Sequence, residues 1–249
     1  MKSTIKLKVF AFIIVAFTAC NKEKKSNLET EIIKIDNSPI GLVEEVLTKE
    51  QQDAISPDDV IKLLKNGNLR FTNNDLTARN HSKKVRNSTL SQYPKAIVLS
   101  CVDNRVPVED VFDRGIGDLF VARVAGNFVN EDILGSMEFA CVVSGSKLVL
   151  VMGHEYCGAI KAAIDHVELG NITPMLQKII PALERVEYNG ERNAKNQEFV
   201  HMVCESNVRN AIAEIRLNSP LLKEMEDRGE IKIVGSVYDM DNGEVNWLE

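Results

Sequence analysis

"KAIVLSCVDNRVP", residues 95–107, decides how this chain folds. Its first half is a β-branched apolar run too short for a helix and bounded by polar residues, the pattern of a buried strand. Its second half carries a thiol, a carboxylate and a guanidinium at alternate positions: Cys101, Asp103 and Arg105. In extended backbone alternate side chains share a face, so the three are expected to point one way. A second stretch of the same form follows, "KLVLVMGHEYCGA", residues 147–159. There the apolar run leads into His154 and Cys157, with Gly153 expected to release the strand. Sites of open α/β sheets lie beyond the carboxyl ends of strands. Two parallel neighbouring strands would bring these ends together.

The rest of the chain supports such a sheet. "DLFVARV" (118–124) and "IKIVGSVYD" (231–239) are further short apolar runs. Between the runs lie helical patterns: Ile133, Met137, Ala140 and Cys141 in one segment, and Val200, Val203, Cys204, Val208, Ile212 and Ile215 in another. A further helix opens at Ser56, an N-cap followed by Pro57 and two acids. Residues 73–92 read as a polar connection. Strands alternating with helices give an α/β fold, a central mostly parallel β-sheet flanked by helices.

The N-terminus is a separate matter. "MKSTIKLK" carries three lysines and no acid, "VFAFIIVAF" is apolar but short, and "FTAC" ends at Cys20. This order describes an export signal over residues 1–19. "FTAC" resembles a bacterial lipobox, which implies lipidation of Cys20 and a chain exported and anchored to a bacterial membrane by that lipid. Residues 20–55 are expected to form a tether or N-terminal arm, and residues 56–249 the catalytic domain. The net charge of −6 becomes more negative once the leading lysines are removed, which argues against a nucleic-acid partner.

Two thiolates and an imidazole are a ligand set for Zn²⁺, and three protein ligands leave a fourth position open for catalysis. An Arg beside a carboxylate keeps it ionised and directs it. Asp103 is thus placed to orient a zinc-bound hydroxide, or to swing inward as a fourth ligand in an inactive state. Val106 and Gly158 are the candidate lining of a substrate pocket.

At these residues the chain resembles the β-class carbonic anhydrases, on "CVDNRVP", "GDLFVARVAGN", "GSMEFA" and "VMGHEYCGAI". The likeness spans residues 56–249. It implies one zinc per subunit on Cys101, His154 and Cys157, with Asp103 and Arg105 as a catalytic dyad. It implies hydration of CO₂ to bicarbonate and a proton by a zinc-bound hydroxide, and a homodimer or larger homo-oligomer. Asn104 stands where the family usually has Ser, and Val124 where many members have Asn.

Rival readings fare less well. A thiol phosphatase needs an Arg six residues after its Cys, and position 107 is Pro. No C-x-x-C is present for a thioredoxin-like site. A metal-free Cys101–His154 hydrolase, a zinc hydrolase of CS₂ or COS, and a zinc-binding lipoprotein without turnover stay open as alternatives. Cys141 and Cys204 read as core thiols, with a disulfide between them as the alternative. His81, His166 and His201 read as surface or packing residues, and Trp247 as a packing anchor at an interface.

Overall fold

The computed structural model describes residues 42–43 and 45–248, so the expected export signal and Cys20 lie outside the described residues. Chain order is α1 (Lys49–Ala54), α2 (Pro57–Thr72), α3 (His81–Asn87), β1 (Ala96–Ser100), α4 (Val108–Val111), β2 (Leu119–Arg123) and α5 (Glu131–Glu138). A π-helical turn, Phe139–Val143, precedes β3 (Leu148–His154), α6 (Gly158–Ile164), α7 (Ile172–Leu176), α8 (Ile180–Glu184) and α9 (Gln197–Asn218). The chain closes with α10 (Pro220–Asp227), β4 (Lys232–Tyr238) and β5 (Val245–Leu248).

The sheet order is β2-β1-β3-β4-β5. The first four strands are parallel, as the alternating pattern requires, and β5 returns antiparallel on β4. The register of β1 on β3 pairs Ala96 with Leu148 and Leu99 with Val151, which sets the ends of the two chemical stretches side by side. Both strands are buried throughout. One face packs Met137, Cys141, Cys204, Val208 and Ile215 against Leu99 and Val151. The other packs Val60, Leu64 and Phe112 against Val98 and Leu150.

Several expectations change. The folded unit starts at Val43, not at residue 56. Thr48 caps α1 through a reciprocal capping box, and Gln52 is fully buried, donating to the carbonyls of Pro94 and Ser144 at 2.7 Å each. One buried amide thus ties the expected tether to the sheet, a link that composition does not reveal. The polar connection 73–92 contains α3, capped by Asn80. Gly153 does not release β3, which continues to His154. A Cβ there would lie 2.8 Å from the Cys204 sulfur and 2.9 Å from Val208 Cγ2, so glycine lets α9 approach the strand. Cys141 and Cys204 are buried free thiols, as their place on apolar stripes led one to expect. The packing expected of Trp247 is present, its ring 6.5 Å from that of Phe112 and Lys65 Nζ 5.2 Å from its centroid.

Candidate metal centre

Strand β1 ends at Ser100, and residues 101–107 leave the sheet as a turn-bearing loop. Asp103 Oδ1 accepts the backbone N–H of Arg105 at 3.0 Å, a side-chain turn that folds the loop back. The alternate side chains therefore do not share one face as extended backbone would dictate. Cys101 is buried, whereas Arg105 is exposed. Asp103 and Arg105 are joined instead by a fork: Arg105 Nε donates to Oδ1 at 2.9 Å and Nη2 to Oδ2 at 2.8 Å. These bonds from Arg105 hold the Asp103 carboxyl down at about 2.

Arg123, the last residue of β2, fixes the same loop from the neighbouring strand. Its Nη1 donates to the Cys101 carbonyl at 2.9 Å and its Nη2 to the Val106 carbonyl at 2.6 Å. Val106 itself is packed in the core with Val60, Leu64 and Phe112, so its side chain lines no open pocket. A Cβ on Gly158 would meet nothing within 4 Å, so that position does face open space.

Strand β3 delivers His154. The chain then reverses through Tyr156, whose φ of 57° lies in the left-handed region. That conformation is uncommon for a bulky residue and points to an outside constraint. The Tyr156 hydroxyl donates to Asp241 at 2.7 Å, and Lys161 Nζ sits 5.4 Å from its ring centroid. After the reversal Cys157 arrives as the N-cap of α6. His154 and Cys157 therefore meet across a strand end and a helix start rather than along one helical turn.

The Cys101 and Cys157 sulfurs and a ring nitrogen of His154 lie within 4.8 Å of one another, and all three residues are buried. The sulfurs are 4.0 Å apart. Two sulfurs each about 2.3 Å from a tetrahedral zinc stand roughly 3.8 Å apart, so the spacing fits that ion. His154 Nδ1 lies 2.8 Å from the Glu155 carbonyl, which fixes the ring proton on that nitrogen. Nε2 is left as a bare lone pair, buried and without a hydrogen-bond partner. Such a group is costly to bury unless something binds it, and a cation between the sulfurs would supply that partner. Of the two thiols, Cys101 is shifted down by the hydrogen bond from Cys157, with His154 and the Gly126 N–H assisting. Cys157 is shifted up because it gives that hydrogen bond and is desolvated.

Asp103 Oδ2 is 3.9 Å from His154 Nε2 and stays turned to Arg105. Three side chains that could hold a metal ion converge, and the carboxylate stands beside them.

Two contributors escaped the sequence reading. The Gly126 N–H donates to the Cys101 sulfur at 3.4 Å, and the Gly126 carbonyl accepts from Asn207 Nδ2 at 2.8 Å. Gly126 has φ +82°, and a Cβ there would lie 2.5 Å from Ile179 Cδ1. The available signal was Asn207, a polar residue interrupting the apolar stripe of α9 and almost fully buried. Cys204 also serves locally, its thiol donating to the His154 carbonyl at 3.4 Å. Burial pushes the Cys141 and Cys204 thiols up to about 12, which makes both inert. His201 is bonded to Glu155 at 2.5 Å on the outer side of α9.

Residues 96–245 match the family model described as carbonic anhydrase. The carbonic anhydrase of Mycolicibacterium smegmatis is 33% identical over 190 residues, 74% of this chain and 89% of that protein. A solved Coccomyxa β-carbonic anhydrase, in complex with acetazolamide, superposes with a TM-score of 0.60 at 24% identity, over 67% of this chain and 77% of that one. A tetrameric β-carbonic anhydrase from Sordaria macrospora gives a TM-score of 0.57 at 20% identity, over 67% and 90% of the two chains. Relatives, fold and ligand geometry agree, and the chain belongs to the β class of the carbonic anhydrases.

Proposed function

We propose that this protein interconverts carbon dioxide and bicarbonate at a zinc ion held by Cys101, His154 and Cys157. The observation that carries the reading is the unpartnered Nε2 of buried His154, facing two thiols, with a carboxylate held by arginine 3.9 Å away. When bound, zinc supplies Lewis acidity that brings the pKa of a water ligand towards neutrality.

The chain's own residues do the rest. Asp103 stays ionised across the working pH range, so it only accepts hydrogen bonds and orients a polar group beside the three ligands. Arg105 occupies both carboxylate oxygens and keeps Asp103 from moving inward to become a ligand itself. Arg123 immobilises the loop between Cys101 and Val106. The Gly126 N–H withdraws charge from the Cys101 sulfur. The intact Asp103–Arg105 fork argues against a protein that merely stores zinc.

Stopped-flow CO₂ hydration by the zinc-loaded protein, with CS₂ and COS as parallel substrates, tests the reading. Hydration that depends on zinc supports it. Turnover of CS₂ or COS without CO₂ hydration would replace it.

Two further properties belong to the proposal. Oligomerisation is supported by the exposed apolar row Phe139, Val142 and Val143 beside the edge strand β2. Light scattering giving a dimer mass or more is expected, and a monomer would refute it. Export and lipidation at Cys20 are supported by the sequence of residues 1–20. Intact mass of the membrane fraction is expected to show a cleaved chain carrying acyl groups.

A further inference from the structure

At the opposite end of β1 from the metal centre, roughly 20 Å away at about 3.3 Å per residue, lies a second concentration of buried charge. A cavity of about 320 Å³ is lined by Thr77, Arg79, Lys84, Lys95, Arg114 and Asp118, and closed by Val43, Glu45, Val46, Leu47 and Gln51. Nothing in the proposed chemistry uses it.

Charge accounting there leaves a surplus. Asp113 is fully taken, accepting from Arg70 Nε at 2.5 Å, Thr77 N at 3.0 Å and Thr77 Oγ1 at 2.6 Å, with Arg79 Nη1 at 2.7 Å. Asp118 binds Lys95 and the Gly115 N–H. Arg114 Nε donates to the Phe112 carbonyl at 2.9 Å, and its terminal nitrogens make no hydrogen bond among the described residues. Among the described residues five cations thus share two buried carboxylates, and the other acid on the lining, Glu45, is exposed. Burial lowers the pKa of the Arg114 guanidinium; Asp118 and Asp113 oppose this, while Arg70 and Arg79 add to it.

Lys84 is the sharpest case. Its side chain is 2% exposed, and its nearest carboxylate oxygen, on Asp118, is 3.6 Å away, beyond hydrogen-bond distance. No other acceptor reaches it among the described residues. Gly115 makes room beside it: a Cβ there would lie 2.9 Å from Lys84 Nζ and 2.8 Å from Arg79 Cδ. An ammonium on a nearly buried stem, paired only loosely with Asp118, keeps donor capacity for a further acceptor. Lys84 and the terminal nitrogens of Arg114 thus present free donors side by side to the cavity.

We propose that this cavity binds one small oxyanion, held by the Lys84 ammonium and the Arg114 guanidinium, with Arg79 and Lys95 adding to the field. The volume suits a phosphate or bicarbonate ion with a few waters, each water taking about 30 Å³, and it is too small for a folded partner. Phosphate would come from the medium. Bicarbonate would come from the proposed reaction and make the site responsive to product.

Calorimetric titration of the zinc-loaded full chain tests this, with sodium phosphate and sodium bicarbonate against sodium chloride at matched ionic strength. Arg114→Gln is the informative variant, because Arg114 is partly exposed and its loss leaves the core intact; Lys84→Met is the second. Binding of phosphate or bicarbonate, at one per chain in addition to any at zinc, is expected, at least tenfold tighter than chloride and at least tenfold weaker in both variants. The arm that binds identifies the source. CO₂ hydration by Arg114→Gln in chloride is expected to match the unmodified protein. Equal responses to all three salts, or phosphate and bicarbonate isotherms unchanged by Arg114→Gln, would overturn the proposal.

Discussion

Asp103 Oδ2 stands 3.9 Å from His154 Nε2 while both carboxylate oxygens are engaged by Arg105. The carboxylate thus stands beside the Cys101–His154–Cys157 cluster rather than within it. Asp103→Asn is expected to retain zinc and to lose about 10²- to 10⁴-fold in CO₂ hydration, the range for a positioned proton-handling group. Arg105→Lys is expected to fall between the two, since an ammonium cannot reproduce the fork. Metal analysis and stopped-flow kinetics on the same samples decide this; loss of zinc in Asp103→Asn would make Asp103 a structural ligand instead.

Gly126→Ala tests the support of Cys101. The left-handed φ costs an L-residue about 1–2 kcal/mol, and the 2.5 Å contact with Ile179 adds about 1–3 kcal/mol of overpacking. The variant is expected to unfold at lower urea concentration and to bind zinc more weakly, because the Gly126 N–H no longer meets the sulfur. Asn207→Ala is expected to weaken zinc retention in the same direction with less loss of stability.

Acid stability is expected to run through Asp113. Burial alone would raise its pKa, but hydrogen bonds from Arg79, Thr77 and Arg70 bring it well below the usual carboxylate value. A depressed folded pKa contributes stability that is complete above the unfolded value, about 3.9, and fades as pH falls through the folded one. Urea unfolding between pH 7 and pH 3 is expected to show stability declining below about pH 4. Asp113→Asn is expected to lose about 3 kcal/mol at pH 7 and to show a flatter acid limb. An unchanged acid limb would remove Asp113 from the explanation.

How much of this was legible beforehand depends on the range of the interactions. The four parallel strands and the helices α2, α5 and α9 came from local periodicity, since a buried strand must be apolar on both faces. Cys101 and His154 were legible because each stands at the end of such a run, and Cys157 because it follows His154 by three residues. The geometry that joins them was not: Tyr156 takes a left-handed conformation whose anchor, Asp241, lies 85 residues away. Residues 45–55 looked like a tether because one buried amide, Gln52, carries their attachment. Strand β5 was missed for a similar reason, as "VNWL" is short and gains its pairing only from β4.

Redox sensitivity follows from the 4.0 Å between the Cys101 and Cys157 sulfurs. In metal-free protein treated with diamide, two thiols per chain are expected to disappear as a disulfide forms, and zinc binding with them. Zinc-loaded protein is expected to keep both, because metal-held sulfurs are not free to attack. Thiol titration in denaturant reads the difference, with Cys141 and Cys204 as the internal standard that stays reduced.

The most direct measurement combines metal content with CO₂ hydration across a zinc titration of chelator-stripped protein. Hydration rising linearly and levelling at one zinc per chain, with Cys101→Ser neither binding zinc nor turning over, is the expected result. Full hydration by stripped protein, or saturation with zinc at no gain in rate, would contradict it.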